Sequence, residues 1–302
     1  MTSYGSGARP LVVVFGLQDA PVRWLTHQLR GCGVVATGVG AEVATTAAQA
    51  VCAAADAGVH LFNAGQGMDG RFLEIWQLLA EAGKPRFLLI HDLGPATLDV
   101  NEAAAIASRV MEEDVLTANL PLLDDDERVI GVLDVATGEQ VFPDGTVQEP
   151  RDDFSEAVEA ETNTLYEAAE AVGVGPEEAI RDGSLSVAAT LDTRSAAGVA
   201  WLVSRLPSRS TPIATTVLPG DDPQVVLVAA GPQGCSVGPA LAVMGGRSQP
   251  VNVVSLADLF ATDLPTSLPP GAVAAARCTP VPQVGSWLVS ASLHAPTRGA
   301  DQ

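Results

Sequence analysis

Lysine is nearly missing from this sequence: Lys84 is the only one, and the rest of the 16 basic residues are arginine. They are outnumbered by 36 acids, which leaves a formal net charge of −20. Phosphate backbones and anionic lipid repel such a surface, so neither nucleic-acid binding driven by counterion release nor membrane attachment is expected. Cysteine is scarce and dispersed as Cys32, Cys52, Cys235 and Cys278, with no C-x-x-C pair. The four read as small apolar core residues in a reducing compartment rather than as a zinc site or a disulfide framework. No apolar run approaches the ~18–20 residues that a bilayer requires. Met1–Pro10 lacks the basic-then-apolar profile of a signal peptide, and a soluble cytoplasmic chain is expected. Also missing are H-E-x-x-H, an EF-hand loop, a G-x-S-x-G elbow and a dinucleotide G-x-G-x-x-G after a strand; Gly38–Gly40 offers only G-V-G.

What is present suffices for a large core. Apolar residues make up 47% of the 302 positions and the mean hydropathy is +0.24, so two domains are expected at ~150 residues each. Charge is unevenly placed. From Ser184 onward six aspartates balance six arginines, so the whole net charge lies in residues 1–183. Pro207–Pro212 has no helical pattern and marks a domain boundary, dividing 1–208 from 209–302.

Before that boundary strands and helices alternate. Strands are expected at Leu11–Phe15, Val59–Phe62, Arg86–Ile90, Val115–Leu120 and Leu185–Ala189. Helices are expected from Pro21 to Leu29, Glu42 to Ala57 (closed by Gly58), Phe72 to Ala82, Asn101 to Met111 and Ala196 to Leu206. This order implies an α/β fold with a doubly wound, mostly parallel sheet. Between about 122 and 183 the order is interrupted by a hairpin, Val129–Val135 with Glu139–Phe142, and by the acidic helix Phe154–Val172. After the boundary, short runs at Ile213–Leu218, Val225–Val228, Pro239–Met244, Val251–Ser255, Ala272–Ala276 and Trp287–Ser290 suggest a small β-barrel.

Val59–Met68, Lys84–Arg86, Ile130–Val135, Leu206–Ser208, Gly271–Ala276 and Val284–Leu288, taken in this order along the chain, together resemble the first two domains of bacterial elongation factor G and related translational GTPases. Val59–Met68 is similar to the family's strand running into D-A-x-x-G, and Lys84-Pro85-Arg86 to the K-x-P-R before its next buried strand. Ile130–Val135 resembles the G-x-x-D-L hairpin that opens the family's inserted subdomain, and Leu206-Pro207-Ser208 the L-P-S that ends its G domain. Gly271–Ala276 and Val284–Leu288 are like the end of its β-barrel second domain.

The catalytic motifs do not follow. A P-loop G-x-x-x-x-G-K-S/T wraps phosphates in glycine amides, neutralises them with lysine and ligates Mg²⁺ through the hydroxyl. Here Gly16 keeps the first glycine, Asp19 falls inside the loop, and Pro21, Val22 and Arg23 replace the second glycine, the lysine and the hydroxyl. Proline removes an amide donor and valine supplies no charge. His91-Asp92-Leu93-Gly94 replaces the guanine-reading N-K-x-D, and Ala188-Ala189 the S-A of the loop behind the base. The interval Thr37–Val59 is far shorter than the family's, and D-x-P-G-H is absent. The resemblance therefore implies a pseudo-GTPase, with no cofactor and no metal.

Other groups have plainer readings. His91 with Asp92 and Asp19 would suit a catalytic dyad, although a histidine left by an eroded motif is the simpler view. Asp124–Glu127 reads as a solvated turn. In the acidic helix, Glu156, Glu159, Glu161, Glu167 and Glu170 surround an apolar stripe of Val158, Leu165, Ala168 and Val172. The charge suits a basic protein partner; the resemblance supplies its identity, the ribosomal stalk protein, which docks on the inserted subdomain. Three functions follow: a non-catalytic protein-binding module; an enzyme, or a binder of small molecules or nucleotides, reusing the eroded pocket through Arg23, His91 and Asp92; and a residual GTPase.

Overall fold

Aliphatic runs without polar alternation form strands buried on both faces. The first is β1 (Leu11–Gly16), followed by β2 (Val35–Val39), β3 (Ala57–Asn63), β4 (Arg86–His91) and β5 (Val115–Thr117). Helices α1 (Asp19–Gly31), α2 (Leu73–Glu81) and α3 (Val100–Met111) connect them. Next come β6 (Asn119–Leu123), β7 (Val129–Asp134), β8 (Gln140–Val141) and β9 (Val147–Gln148), then α4 (Ser155–Val172) and α5 (Pro176–Asp182). β10 (Ser186–Thr190) and α6 (Val199–Arg205) complete this part. The computed structural model describes residues 10–39, 51–66, 72–93, 99–149 and 155–207, then 216–217, 225–230, 235–236, 238–244, 247–258, 267–268, 273–280, 282 and 287–290.

Six strands align as β2-β1-β3-β4-β10-β5, with every pairing parallel. Alternate side chains feed two cores. Leu11, Val13 and Phe15 pack with residues 51–55, α2 and α3 on one face. Val12 and Val14 pack with α1 and α6 on the other, where Leu165 of α4 and Ile180 of α5 join them. Helices on both faces make the sheet doubly wound, and each fully buried aliphatic or aromatic side chain contributes roughly 1.5–3 kcal/mol.

Several expectations need correction. Gly58 closes no helix: it lies within β3, where a Cβ would come 2.1 Å from Leu79 Cδ1, so α2 packs against bare backbone there. Val115–Leu120 is two strands. Ala118 separates them, donating its N–H to the Ala188 carbonyl of the parallel sheet and accepting from Val135 N. The last helix begins only at Val199, because Asp192 Oδ2 accepts from both Ser195 N and Ser195 Oγ at 2.7 Å and holds a turn until Gly198, at φ +91°. Cys32 is exposed at the end of α1, whereas the other three cysteines are buried, and none of the four is in a disulfide. The 42–50 part of the expected second helix and most of the 207–212 boundary lie outside the described residues.

β6, β7, β8 and β9 form an antiparallel sheet, so the expected hairpin is present as β7 and β8. Asp134 ties this sheet to the rest of the chain. Its Oδ1 accepts from Ala136 N at 2.8 Å and Thr137 N at 3.1 Å, and its Oδ2 from Trp201 Nε1 at 2.5 Å. Arg205, 7% exposed, donates to Asp134 through one nitrogen and to Glu177 through another. Burial acts to lower the Arg205 guanidinium, but Asp134 and then Glu177 outweigh it and hold its pKa above the ordinary value.

The C-terminal strands are β11 (Thr216–Val217), β12 (Val225–Ala230), β13 (Cys235–Ser236), β14 (Gly238–Met244), β15 (Arg247–Asp258), β16 (Ser267–Leu268), β17 (Val273–Thr279) and β18 (Trp287–Ser290). They pair as β11-β12-β17-β15-β14-β18, and β18 also pairs with β12. β13 and β16 form a separate pair. Among the described residues no helix is long and apolar enough to cross a membrane.

Candidate functional site

In a doubly wound sheet, ligands bind beyond the C-terminal strand ends, where the strand order reverses. That point lies between β1 and β3. Gly16 ends β1 in a tight place: a Cβ would stand 2.8 Å from the Leu61 carbonyl oxygen and 2.9 Å from Leu61 Cβ. Close packing against β3 is therefore reason enough for this glycine. α1 starts three residues later with Asp19, and its N-cap, Gln18, makes no side-chain capping bond. Helix N-termini attract anions through free N–H groups and the macrodipole. Here Asp19 places a carboxylate in the first turn, Pro21 lacks an N–H, and Val22 is fully buried beneath the helix. Arg23 is exposed on the same turn.

The ends of β3 and β4 are joined by side chains. Asn63 Nδ2 donates to Asp92 Oδ2 at 2.5 Å, and Asn63 Oδ1 accepts from Gly65 N at 2.8 Å. His91 Nδ1 lies 3.3 Å from the same Asp92 oxygen. Burial pushes the His91 imidazole below its ordinary pKa, and Asp92 draws it partly back. Gly94 lies outside the described residues. Ala188 and Ala189 are not in a loop: they sit in the middle of β10, paired with Leu88 and Leu89, and both are fully buried.

A second cluster lies on α4. Its packed face is Leu165 and Ala169, flanked by half-buried Val158 and Ala168; Val172, expected in this stripe, is exposed at the helix end. Thr162 Oγ1 donates to the Val135 carbonyl at 3.1 Å and Tyr166 Oη to the Ala136 carbonyl at 3.1 Å, which docks the helix on the antiparallel sheet. Glu159, Glu167 and Glu170 are exposed on the outer side. Glu161 departs from them. It is half-buried, and burial first, then Asp99 at the start of α3, raises its pKa. Glu156 falls in the helix, but its side chain lies outside the described residues.

At the corner of α4 and α5 an open cavity of about 730 Å³ is lined by Tyr166, Glu167, Glu170, Val174, Pro176 and Glu178, among others. Sequence reasoning misses α5 and this corner, although Pro176 after Gly175, followed by Glu177 and Glu178, is a helix-start signal. It also misses Asn63 as a site residue; the partner is 29 positions away, and no local pattern announces it.

No protein-family model matches the chain, and no curated protein does. Among solved structures, a crystal structure of a protein from Thermus thermophilus matches 94% of this chain with a TM-score of 0.55 and 18% sequence identity. The chain spans 54% of that protein's length. At this identity the likeness concerns the fold alone.

Proposed function

We propose that this protein is a non-catalytic relative of the elongation factor G-like translational GTPases, a pseudo-GTPase acting as a protein-binding module. Residues 1–208 are a degenerate G domain with an inserted subdomain over about 122–183, and residues 209–302 are a β-barrel second domain. Strand pairing supports this arrangement. β5 and β10 are neighbours in the parallel sheet while the chain between them builds a sheet of its own, and the β12–β18 pairing closes a ring through β17, β15 and β14. The first turn of α1 supports the loss of catalysis: Asp19 opposes a phosphate, and Pro21 and Val22 supply neither an amide nor a cation to one.

The observation that carries the positive role is the outer face of α4, where Glu159, Glu167 and Glu170 are exposed and Glu178 extends the charge across the corner. Such a face recruits a basic partner with fast, salt-dependent encounter. The family resemblance points to the basic C-terminal domain of the ribosomal stalk protein.

The test is a titration of that purified domain, fluorescently labelled, at low and high salt. Saturable binding is expected at ~50 mM salt, weakening at ~500 mM, where the Debye length is well under 10 Å. Glu159→Lys with Glu167→Lys should reduce affinity about tenfold or more without changing the melting temperature. Failure to bind, or equal binding by the charge-reversed protein, would refute the docking role. A fluorescent GTP analogue with Mg²⁺ should show no saturable binding, and micromolar affinity would return the chain to the active GTPases.

A further inference from the structure

Two buried side chains on neighbouring strands converge on one oxygen at the sheet edge. Asn63 is the last residue of β3 and His91 the last of β4, and the two are paired in register. Paired backbone therefore holds both groups. The Asn63 amide has a fixed sense, because its Oδ1 takes the Gly65 N–H and leaves Nδ2 to donate at 2.5 Å to Asp92 Oδ2. His91 Nδ1 approaches that oxygen to 3.3 Å without completing a well-formed hydrogen bond. Asn63 is 8% exposed and His91 2%.

Asp92 is placed differently. Its side chain is 53% exposed and its backbone is in the left-handed region at φ +59°, which costs a non-glycine residue free energy. The receiving groups are thus rigid and buried, while the carboxylate between them sits on a turn with one side in water.

We infer that Asn63 and His91 form a carboxylate-receiving site whose resident occupant is the chain's own Asp92. A small monocarboxylate offers the same acceptor oxygens and takes the site when Asp92 leaves it. In the intact chain tethering gives Asp92 a high effective concentration, so free carboxylates compete poorly. Asp92 acts as an autoinhibitory plug. The inference is independent of the α4 docking role.

Asp92→Gly tests it, because glycine removes the carboxylate and suits a positive φ. The probes are sodium acetate and sodium formate against sodium chloride of equal ionic strength, added to isotopically labelled full-length protein at pH 7. The readouts are the Asn63 side-chain amide and the His91 ring resonances; the protein has 4 histidines, and His91→Gln assigns the signal. Acetate should move both sets of resonances saturably toward their wild-type positions in Asp92→Gly, with half-saturation at roughly 1–100 mM for so few contact atoms. Wild type should not respond. Asp92→Asn, which also tolerates the left-handed turn, should respond in the same sense at higher acetate if the glycine variant folds poorly. The inference fails if Asp92→Gly or its replacement is silent to acetate, or if an Asn63→Ala, Asp92→Gly double variant responds equally.

Discussion

On the proposed pseudo-GTPase reading, a lysine placed at position 22 should not create a phosphate site, and the reason can be worked out from packing. Val22 is 0% exposed and belongs to the core formed with Leu25, Leu29, Leu61 and Trp201. Its Cγ2 lies 3.4 Å from where a Cβ on Gly16 would stand, so Val22 fills the space beside the end of β1. Val22→Ala removes two carbons, about 1.6 kcal/mol at ~0.8 per carbon, and with a residual cavity should cost roughly 2–3 kcal/mol. Val22→Lys forfeits the same packing and must also move an ammonium out of the core. Its flexible stem lets the ammonium snorkel toward water, so the total should be about 2–4 kcal/mol rather than the full cost of a buried charge. Against a typical stability of roughly 5–15 kcal/mol the protein stays folded. Melting should fall by roughly 5–15 °C, and a GTP analogue with Mg²⁺ should still not bind. A Val22→Lys protein of unchanged stability that binds GTP saturably would refute the view that hydrophobic core has replaced the phosphate cradle.

Glycine substitutions should separate by surroundings: Gly16→Ala meets Leu61 backbone and should cost about 1–3 kcal/mol in urea unfolding, whereas Gly31→Ala meets nothing within 4 Å at the end of α1 and should stabilise by ~0.5–1 kcal/mol. Asp134→Ala leaves the Arg205 guanidinium with only Glu177 and strands Trp201 Nε1, so a loss of about 3–5 kcal/mol is expected in urea unfolding of the 10–207 region. Glu161→Gln should stabilise at pH 7. The folded-state pKa of Glu161 is raised, so its carboxylate form carries a penalty that is absent below the unfolded value and complete above the folded one. The difference between Glu161→Gln and wild type, followed by melting temperature from about pH 4 to 8, should therefore vanish at the acid end and grow as pH rises.

The strands were readable because buried parallel strands need unbroken aliphatic runs, as in Leu11–Phe15 and Arg86–Ile90. Errors arose where long-range contacts decided. Gly58 looks like a helix stop until Leu79 is seen to pack against its bare backbone. Val115–Leu120 reads as one run, and only the backbone partners of Ala118, at Ala188 and Val135, show that two sheets meet there. The α4 stripe was half readable. Leu165 follows from helical spacing, but Thr162 and Tyr166 are tied down by the Val135 and Ala136 carbonyls, and Glu161 is half-buried near Asp99, which no local pattern announces. At the sheet edge, residue types at 16–23 and 91–92 showed what an anion would miss, whereas the meeting of Asn63, His91 and Asp92 depends on the register of β3 with β4.

Among the described residues β5 pairs only with β10, and Asn119 just beyond it accepts the Thr190 N–H across 71 positions. The outermost strand of the parallel sheet thus stays unpaired until the chain has travelled through the whole antiparallel unit and come back. Closing so large a loop carries an entropic cost that falls if β6–β9 and α4 collapse first and bring the two ends together. The antiparallel unit with α4 would then serve assembly, as an early-forming staple whose failure leaves the main sheet one strand short.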